Sequence, residues 1–423
     1  MNSTRFATAT DGVAVRYITE DEFPRWKAAV QVGFLRPPAD AADRMRHVPY
    51  SPGRLLGAFD GDRCVGTARG FPSAITVPGG AVLPADAIAN VAVLPTHRRR
   101  GLLTRMMRRE LAGAAERGEP VAILVAAEAG VYGRFGFGPA TRLSGYRIAV
   151  PRAGGIRLPE AARRGRVELV DTETAARVGP GVHDAFRRRQ PGAVPRPPAW
   201  WRTDTGVLRH PLRHTPEPFR AVYRDAGGTP TGLLTYRVEE AWEGGLPASR
   251  LVVLDLVTAD WTASAALWHH CLSVDWVTTV VADNVAPDDP LPLLLGDPRA
   301  ARATEVDCDF LWLRILDVPA ALTARRYPVP GRVVIEVEDR SGHAAGRFAL
   351  ESPPDGAARC DRADGERADL RLDVSVLGSL YLGGETLARL EAAGLVEELR
   401  PGALGRADPL LRTPLRPWCP DGF

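Results

Sequence analysis

Arg98, Arg99 and Arg100 stand directly before Gly101, between a short apolar run at residues 89–93 and a stretch at 101–117 with apolar residues at helical spacing. A strand, a turn and a helix in that order leave the first N–H groups of the helix without internal acceptors. The positive end of the helix dipole, a glycine that admits close approach and flanking guanidinium groups together form a cradle for a pyrophosphate. Three cations before a helix N-terminus are otherwise electrostatically unfavourable, and a bound polyanion removes that conflict. A solvated surface run of charge is the competing reading.

The elements that must position this turn follow from periodicity. Residues 101–117 predict an amphipathic helix with Leu102, Leu103, Met106, Met107, Leu111 and Ala114 inward, and Arg105, Arg108, Arg109 and Glu110 outward. Short β-type runs at 13–17, 55–59, 64–68, 89–93 and 121–125, with a further helical pattern at 20–32, make residues 1–150 an α/β domain. Breakers and charges at 150–166 read as a linker, and a second break falls at 286–303. Between them, residues 249–275 repeat the order of strand, polar turn and helix, with Ala265, Leu267, Trp268 and Leu272 at helical spacing, but lack the arginines and the glycine. The middle unit, 151–303, thus reads as a second copy of the first fold that has lost its loop chemistry. The last unit, 304–423, has strand patterns at 331–339, 345–351 and 368–377 and helical patterns at 384–394 and 407–415, an α+β domain.

Composition narrows the class. The chain has 423 residues, 45% hydrophobic and 25% charged, and a formal net charge of +3, which is that of a globular protein with no excess of charge to argue for nucleic acid. Lys27 is the sole lysine, so arginine is abundant throughout and its position, not its count, carries meaning. The five cysteines, Cys64, Cys271, Cys308, Cys360 and Cys419, have no paired spacing and read as reduced and mostly buried. The N-terminus lacks the pattern of a signal peptide, and no segment is apolar for the roughly 18 residues of a membrane span, so no membrane partner and a cytoplasmic location are expected. Neither G-x-x-x-x-G-K-[ST] nor G-x-G-x-x-G occurs, which argues against a nucleotide-binding enzyme. His269 and His270 lack companions for a metal site and read as structural.

The run VAVLPTHRRRGLL resembles motif A of the GNAT superfamily of N-acetyltransferases, whose Arg/Gln-x-x-Gly-x-Gly/Ala loop cradles the pyrophosphate of acetyl-CoA; Leu103 departs from the small residue at its end. AGVYGRFGFGPAT, residues 129–141, resembles the superfamily's Tyr-x-x-x-Gly-Phe element, with Phe135 and Phe137 as core and Gly133, Gly136 and Gly138 in tight turns. With a degenerate second unit, a C-terminal part like sterol carrier proteins and a terminal phenylalanine, the whole chain resembles the enhanced intracellular survival (Eis) acetyltransferases. The resemblance implies tandem GNAT-type domains, the second degenerate, followed by a sterol-carrier-protein-like domain.

It also implies roles. Main-chain N–H groups at Val91, Ala92 and Val93 would polarise the thioester carbonyl of the co-substrate acetyl-CoA, Arg99, Arg100, Gly101, Leu102, Leu103 and Thr104 would hold its pyrophosphate, and Ala127 and Glu128 would line the pantetheine. Tyr132, otherwise a buried tyrosine satisfied by a neighbour, would protonate the departing thiolate, and the α-carboxylate of Phe423 would accept a proton from the attacking amine. A free α-carboxyl ionises at about pH 3.3–3.7, so this base is charged at neutral pH. The implied acceptors are cationic amines, aminoglycosides or lysine side chains of peptides, in an acidic pocket for which Glu128 and Asp421 are candidate contributors. No metal is implied, and a homohexamer is. The alternative reading is a lipid or small-molecule carrier with relic acetyltransferase domains, against which the intact arginine loop and Tyr132 weigh.

Overall fold

A computed structural model describes residues 12–37, 48–204 and 217–423; the part of the N-terminal reading that concerns residues 1–11 lies outside them. The first sheet contains β1 (Val13–Tyr17), β2 (Leu55–Asp60), β3 (Arg63–Thr76), β4 (Val82–Val93), β5 (Val121–Val125) and β6 (Gly138–Pro139). The second contains β7 (Arg142–Ala149), β8 (Arg166–Leu169), β9 (Phe219–Arg224), β10 (Pro230–Glu239), β13 (Ser249–Thr258), β14 (Val277–Val285) and β15 (Ala301–Asp309), with a hairpin of β11 (Trp242–Glu243) and β12 (Leu246–Pro247) beside it. Then β16 (Leu311–Ile315) returns to the first sheet.

The two sheets are interlocked. The first has the order β1-β2-β3-β4-β5-β16-β6 and the second β15-β7-β14-β13-β10-β9-β8. Strand β7 follows the first unit in sequence yet lies between β15 and β14, and β16 lies between β5 and β6. The chain therefore enters the second sheet at Arg142, before the break expected at 150, and leaves it only after Asp309. Residues 150–166 are no free linker: Ile156 bridges to Leu295 and Ala162 is buried in the core of the second unit.

The third sheet, ordered β19-β18-β17-β20-β21, is built from β17 (Gly331–Glu338), β18 (Gly346–Ser352), β19 (Arg359–Arg362), β20 (Leu370–Asp373) and β21 (Val396–Glu398). The strand expected over 368–377 ends early because Asp373 accepts a hydrogen bond from the Ser375 N–H and starts the helix Val374–Leu380. That helix packs on β6 and β16 at close range. A Cβ on Gly138 would lie 1.9 Å from the Ser375 carbonyl oxygen, and one on Gly378 would lie 2.3 Å from that of Leu313. Gly138 is thus required by this contact, whereas Gly136, at φ +81°, is the member of the trio that makes a turn.

The helix Leu102–Glu116 covers one face of the first sheet. Leu102, Met106, Met107, Leu111 and Ala114 are buried as expected, each large side chain contributing about 1.5–3 kcal/mol. Glu110 does not face outward: it is fully buried, at the edge of the apolar stripe where the helix meets Asp86 of β4. Arg117 bonds Glu110 at 2.9 Å and Glu119 at 3.0 Å, and Arg54 bonds Asp86 at 3.0 Å and Glu119 at 2.7 Å. Three carboxyls thus meet two guanidiniums. Burial and the neighbouring Glu110 and Glu119 push the Asp86 carboxyl up, to about 8, and burial also raises Glu110, so the cluster holds a proton more tightly than free carboxyls do.

Candidate active site

Strands β4 and β5 pair in parallel only from Ala85 opposite Val121 to Ala87 opposite Ile123. Beyond that point β5 pairs no further with β4, and a bulge on the other side deepens the divergence. Between Thr67 and Arg69 the β3 register shifts, Asn90 takes φ +53°, and the Thr67 hydroxyl donates to the Asn90 carbonyl at 2.8 Å. Val91, Ala92 and Val93 are half-buried along the open side of this split, with no strand paired to them there. Unpaired main-chain N–H groups next to an apolar slot can polarise a bound carbonyl.

The turn after β4 is fastened at its base. Leu94 is buried, and His97, also buried, shares a hydrogen bond with Thr96 at 2.8 Å and one with Asp60 at 3.1 Å. Arg99 at φ +61° and Gly101 at φ +72° both adopt the left-handed conformation, with Arg100 between them. Such a conformation is unfavourable for a side-chain-bearing residue; at Arg99 it turns the backbone so that the helix opens at Leu102. Gly101 at the N-cap position has no side chain to cap that N-terminus, which leaves donors there for a bound anion. Arg98, Arg99 and Gly101 are exposed, Arg100 and Thr104 half-buried. Leu103 packs with Val91, Ala126 and Tyr132 onto the cluster of Ile88, Met107 and Leu111. Its side chain is half-buried against this core.

Ala127 and Glu128 are exposed at the end of β5, where the short helix Ala129–Tyr132 begins. Tyr132 is half-buried, its ring edge-on to Phe137 at 6.2 Å, and Phe135 and Phe137 are core as expected. Burial, and then the Glu128 charge, raise the Tyr132 phenol above its usual value, which keeps it a proton donor at neutral pH.

The C-terminal segment is docked, not frayed. Trp418, Cys419 and Asp421 are buried, and the Phe423 ring meets Phe71 of β3 edge-on at 5.6 Å. Phe71 lies opposite Ala87, the last β4 residue paired with β5. It packs with Ala87 and Ile123 on the face away from the helix Leu102–Glu116, whereas Tyr132 packs with Ile88 and Leu124 on the helix face. Alternation of side chains therefore sets Tyr132 and Phe423 on opposite faces of one split. Asp421 is not an acidic wall of an acceptor pocket. It is an anchor, bonded to Arg196 at 2.6 Å and to His183 at 3.2 Å; burial works against its charge, but Arg196 and His183 hold its carboxyl below the usual range. Sequence reasoning missed Arg196, Asp255, His183 and Asn284, which hold this tail. Among the described residues no cluster of His, Cys, Asp and Glu is arranged to hold a metal, and no helix is long and apolar enough to cross a membrane.

Residues 14–140 match an acetyltransferase (GNAT) domain, residues 192–315 a second acetyltransferase (GNAT) domain, and residues 318–420 a sterol carrier protein domain. An uncharacterized N-acetyltransferase of Streptomyces avermitilis is 48% identical over 98% of this chain and 99% of its own. The N-acetyltransferase Eis of Mycobacterium tuberculosis is 36% identical over 92% of this chain and 94% of its own. The crystal structure of Eis1 from Mycobacterium abscessus covers 97% of this chain and 100% of its own with a TM-score of 0.83 at 35% identity. Split sheet, arginine turn and domain matches define an N-acetyltransferase with two GNAT domains and a sterol-carrier-like third. GNAT acetyltransferases use acetyl-CoA as co-substrate. At these identities and coverages the chain belongs to the Eis family of N-acetyltransferases.

Proposed function

We propose that the chain moves the acetyl group of acetyl-CoA directly to primary amines of aminoglycosides, of lysine side chains, or of both, with no covalent enzyme intermediate. Main-chain N–H groups of Val91, Ala92 and Val93 polarise the thioester carbonyl. The turn from Arg99 to Thr104 binds the pyrophosphate, and Ala127 and Glu128 flank the pantetheine. The Phe423 carboxylate takes the proton from the attacking amine, directly or through a water. Tyr132 donates its proton to the departing thiolate. The observation that carries this reading is the docked terminus: Phe423 lies on Phe71 at the level where β4 and β5 part.

Family resemblance adds a homohexamer and a cytoplasmic location to the proposal. Sedimentation velocity tests the first. For the reaction, purified protein with acetyl-CoA and a panel of aminoglycosides and lysine peptides should release free thiol in step with acetylated amine. Extending the chain past Phe423 turns its carboxylate into an amide, and should lower turnover about 100-fold or more, the usual contribution of a positioned base. Full activity of the extended chain would overturn the role given to Phe423.

A further inference from the structure

The second unit carries the same kind of strand split as the first, and it is filled. Strands β13 and β14 pair in parallel from Ser249 opposite Val277 to Val253 opposite Ala282, then part. The opening is lined by Val253, Leu256, Thr258, Trp261 and Asn284, and Trp418 of the C-terminal segment stands in it. The Trp418 indole N–H donates to the Asn284 side-chain oxygen at 2.7 Å, and the Asn284 amide donates to the Pro420 carbonyl at 3.1 Å. The space left measures about 30 Å3, room for a water or two and not for a pantetheine arm. The helix that follows β13, Trp261–Leu272, has its N-terminus closed by Asp260, whose carboxylate accepts from the Ala263 N–H at 2.8 Å. A fixed negative charge stands where the first unit has Gly101 and its arginines, and it repels a pyrophosphate.

Past Trp418, a buried ion network takes over. Arg196 donates through Nε to Asp421 at 2.6 Å and through its two terminal nitrogens to Asp255 of β13 at 2.8 and 2.7 Å. His183 adds its ring nitrogen to Asp421 at 3.2 Å, and the Arg196 guanidinium lies over the Trp200 ring at 4.1 Å. Phe423 is two residues from Asp421, and two residues reach at most about 7 Å. Asp421 therefore determines where the terminal carboxylate can be, with Phe71 fixing the ring from the side of the first sheet.

We propose that the second acetyltransferase-like unit serves the reaction as a clamp for the C-terminal segment, with Arg196, Asp255 and Asn284 as positioning residues that set the Phe423 carboxylate. This rests on the reading of Phe423 as the base. The clamp occupies what would be a cofactor cleft, so the second unit has exchanged acetyl-CoA for the tail of its own chain. Displacing a reacting group by about 1 Å can lower a rate 100-fold, which makes such a clamp part of the catalytic apparatus without touching substrate.

The test uses the full-length protein with two substitutions that leave no buried charge unpaired. Asp421→Asn keeps the Arg196–Asp255 pair, and Asn284→Ala removes the neutral hydrogen bonds of Asn284 to Trp418, Cys419 and Pro420. Asp421→Asn should lower kcat for amine acetylation about tenfold or more while the KM for acetyl-CoA stays within about twofold. Carboxypeptidase A should release Phe423 from it faster than from the unaltered chain, and Asn284→Ala should show both effects in smaller measure. If both variants keep the full kcat and the slow release while deletion of Phe423 abolishes turnover, the clamp is refuted and the base stands. If deletion of Phe423 also leaves turnover intact, the reading of Phe423 itself fails.

Discussion

Replacing Tyr132 by phenylalanine removes one oxygen atom and little else. The ring is held by its edge contact with Phe137 and by the Ile88 and Met107 cluster, and the phenylalanine ring keeps both. Among the described residues the Tyr132 hydroxyl makes no hydrogen bond, so its loss orphans no partner, and folding stability should change by less than about 0.5 kcal/mol. The kinetic effect is of a different size. A positioned general acid contributes about 100-fold to 10,000-fold, or about 2.7–5.4 kcal/mol at 1.36 kcal/mol per decade. Steady-state kinetics with acetyl-CoA and one amine, together with a binding isotherm for acetyl-CoA, separate the two. Turnover of Tyr132→Phe should fall by at least 100-fold with cofactor affinity within about twofold. The pH profile gives a second reading: burial and Glu128 raise the phenol above its usual value of 10, so the donor form is lost only on the alkaline side, and the unaltered enzyme should hold its kcat up to at least about pH 10. A variant within threefold of the original kcat would remove Tyr132 from the proton transfer.

Two further outcomes follow from the structure. Arg99 holds the left-handed conformation that suits glycine, so Arg99→Gly should raise the ligand-free melting temperature slightly, by the equivalent of up to about 1 kcal/mol, yet raise the KM for acetyl-CoA severalfold; an unchanged KM would remove Arg99 from the pyrophosphate site. In the buried cluster, Asp86 and Glu110 are both pushed up by burial. The folded state therefore binds a proton more tightly than the unfolded chain, and the stability this contributes is present at acid pH and lost as pH rises from the usual carboxylate range toward about 8. Glu110→Gln carries no proton to lose, so denaturant titrations at pH 5 and pH 9 should show a flatter dependence than the original chain; parallel curves would disprove a retained proton.

Much of the first unit was legible because its signals are local. The β-type runs at 13–17, 55–59 and 121–125 and the helical stripe from Leu102 to Ala114 are local features, and those elements stand where the pattern put them. The runs at 64–68 and 89–93 caught only parts of the long hairpin of β3 and β4, in which Pro72 and Pro84 sit within the ladder, opposite Asp86 and Ala74. Glu110 was read as outward because charge on a helix usually is; its partner Arg117 stands two turns further along the same helix, but the sheet residue Asp86 that it meets has no mark in the helix sequence. The exchange of β7 and β16 between sheets has no local mark, since strand order is decided by partners more than a hundred residues away in sequence. The tail was legible as a docking composition but not as a network: Arg196 and Asp421 are 225 positions apart, and no periodicity links them. The arginine turn was legible as a turn into a helix because its glycine and the helix start are adjacent in sequence.

The interlocked sheets bear on how the protein is made. Strand β5 is flanked by β4 on one side and β16 on the other, so as the polypeptide leaves the ribosome the first sheet has an open edge until Ile315 emerges. A truncated gene fragment encoding residues 1–150 would lack that strand and contribute β7 to no sheet. The first two units do not close one after the other like beads on a string: the second sheet gains its last strand with β15 and the first with β16, so both are completed late in synthesis, within fifteen residues of each other.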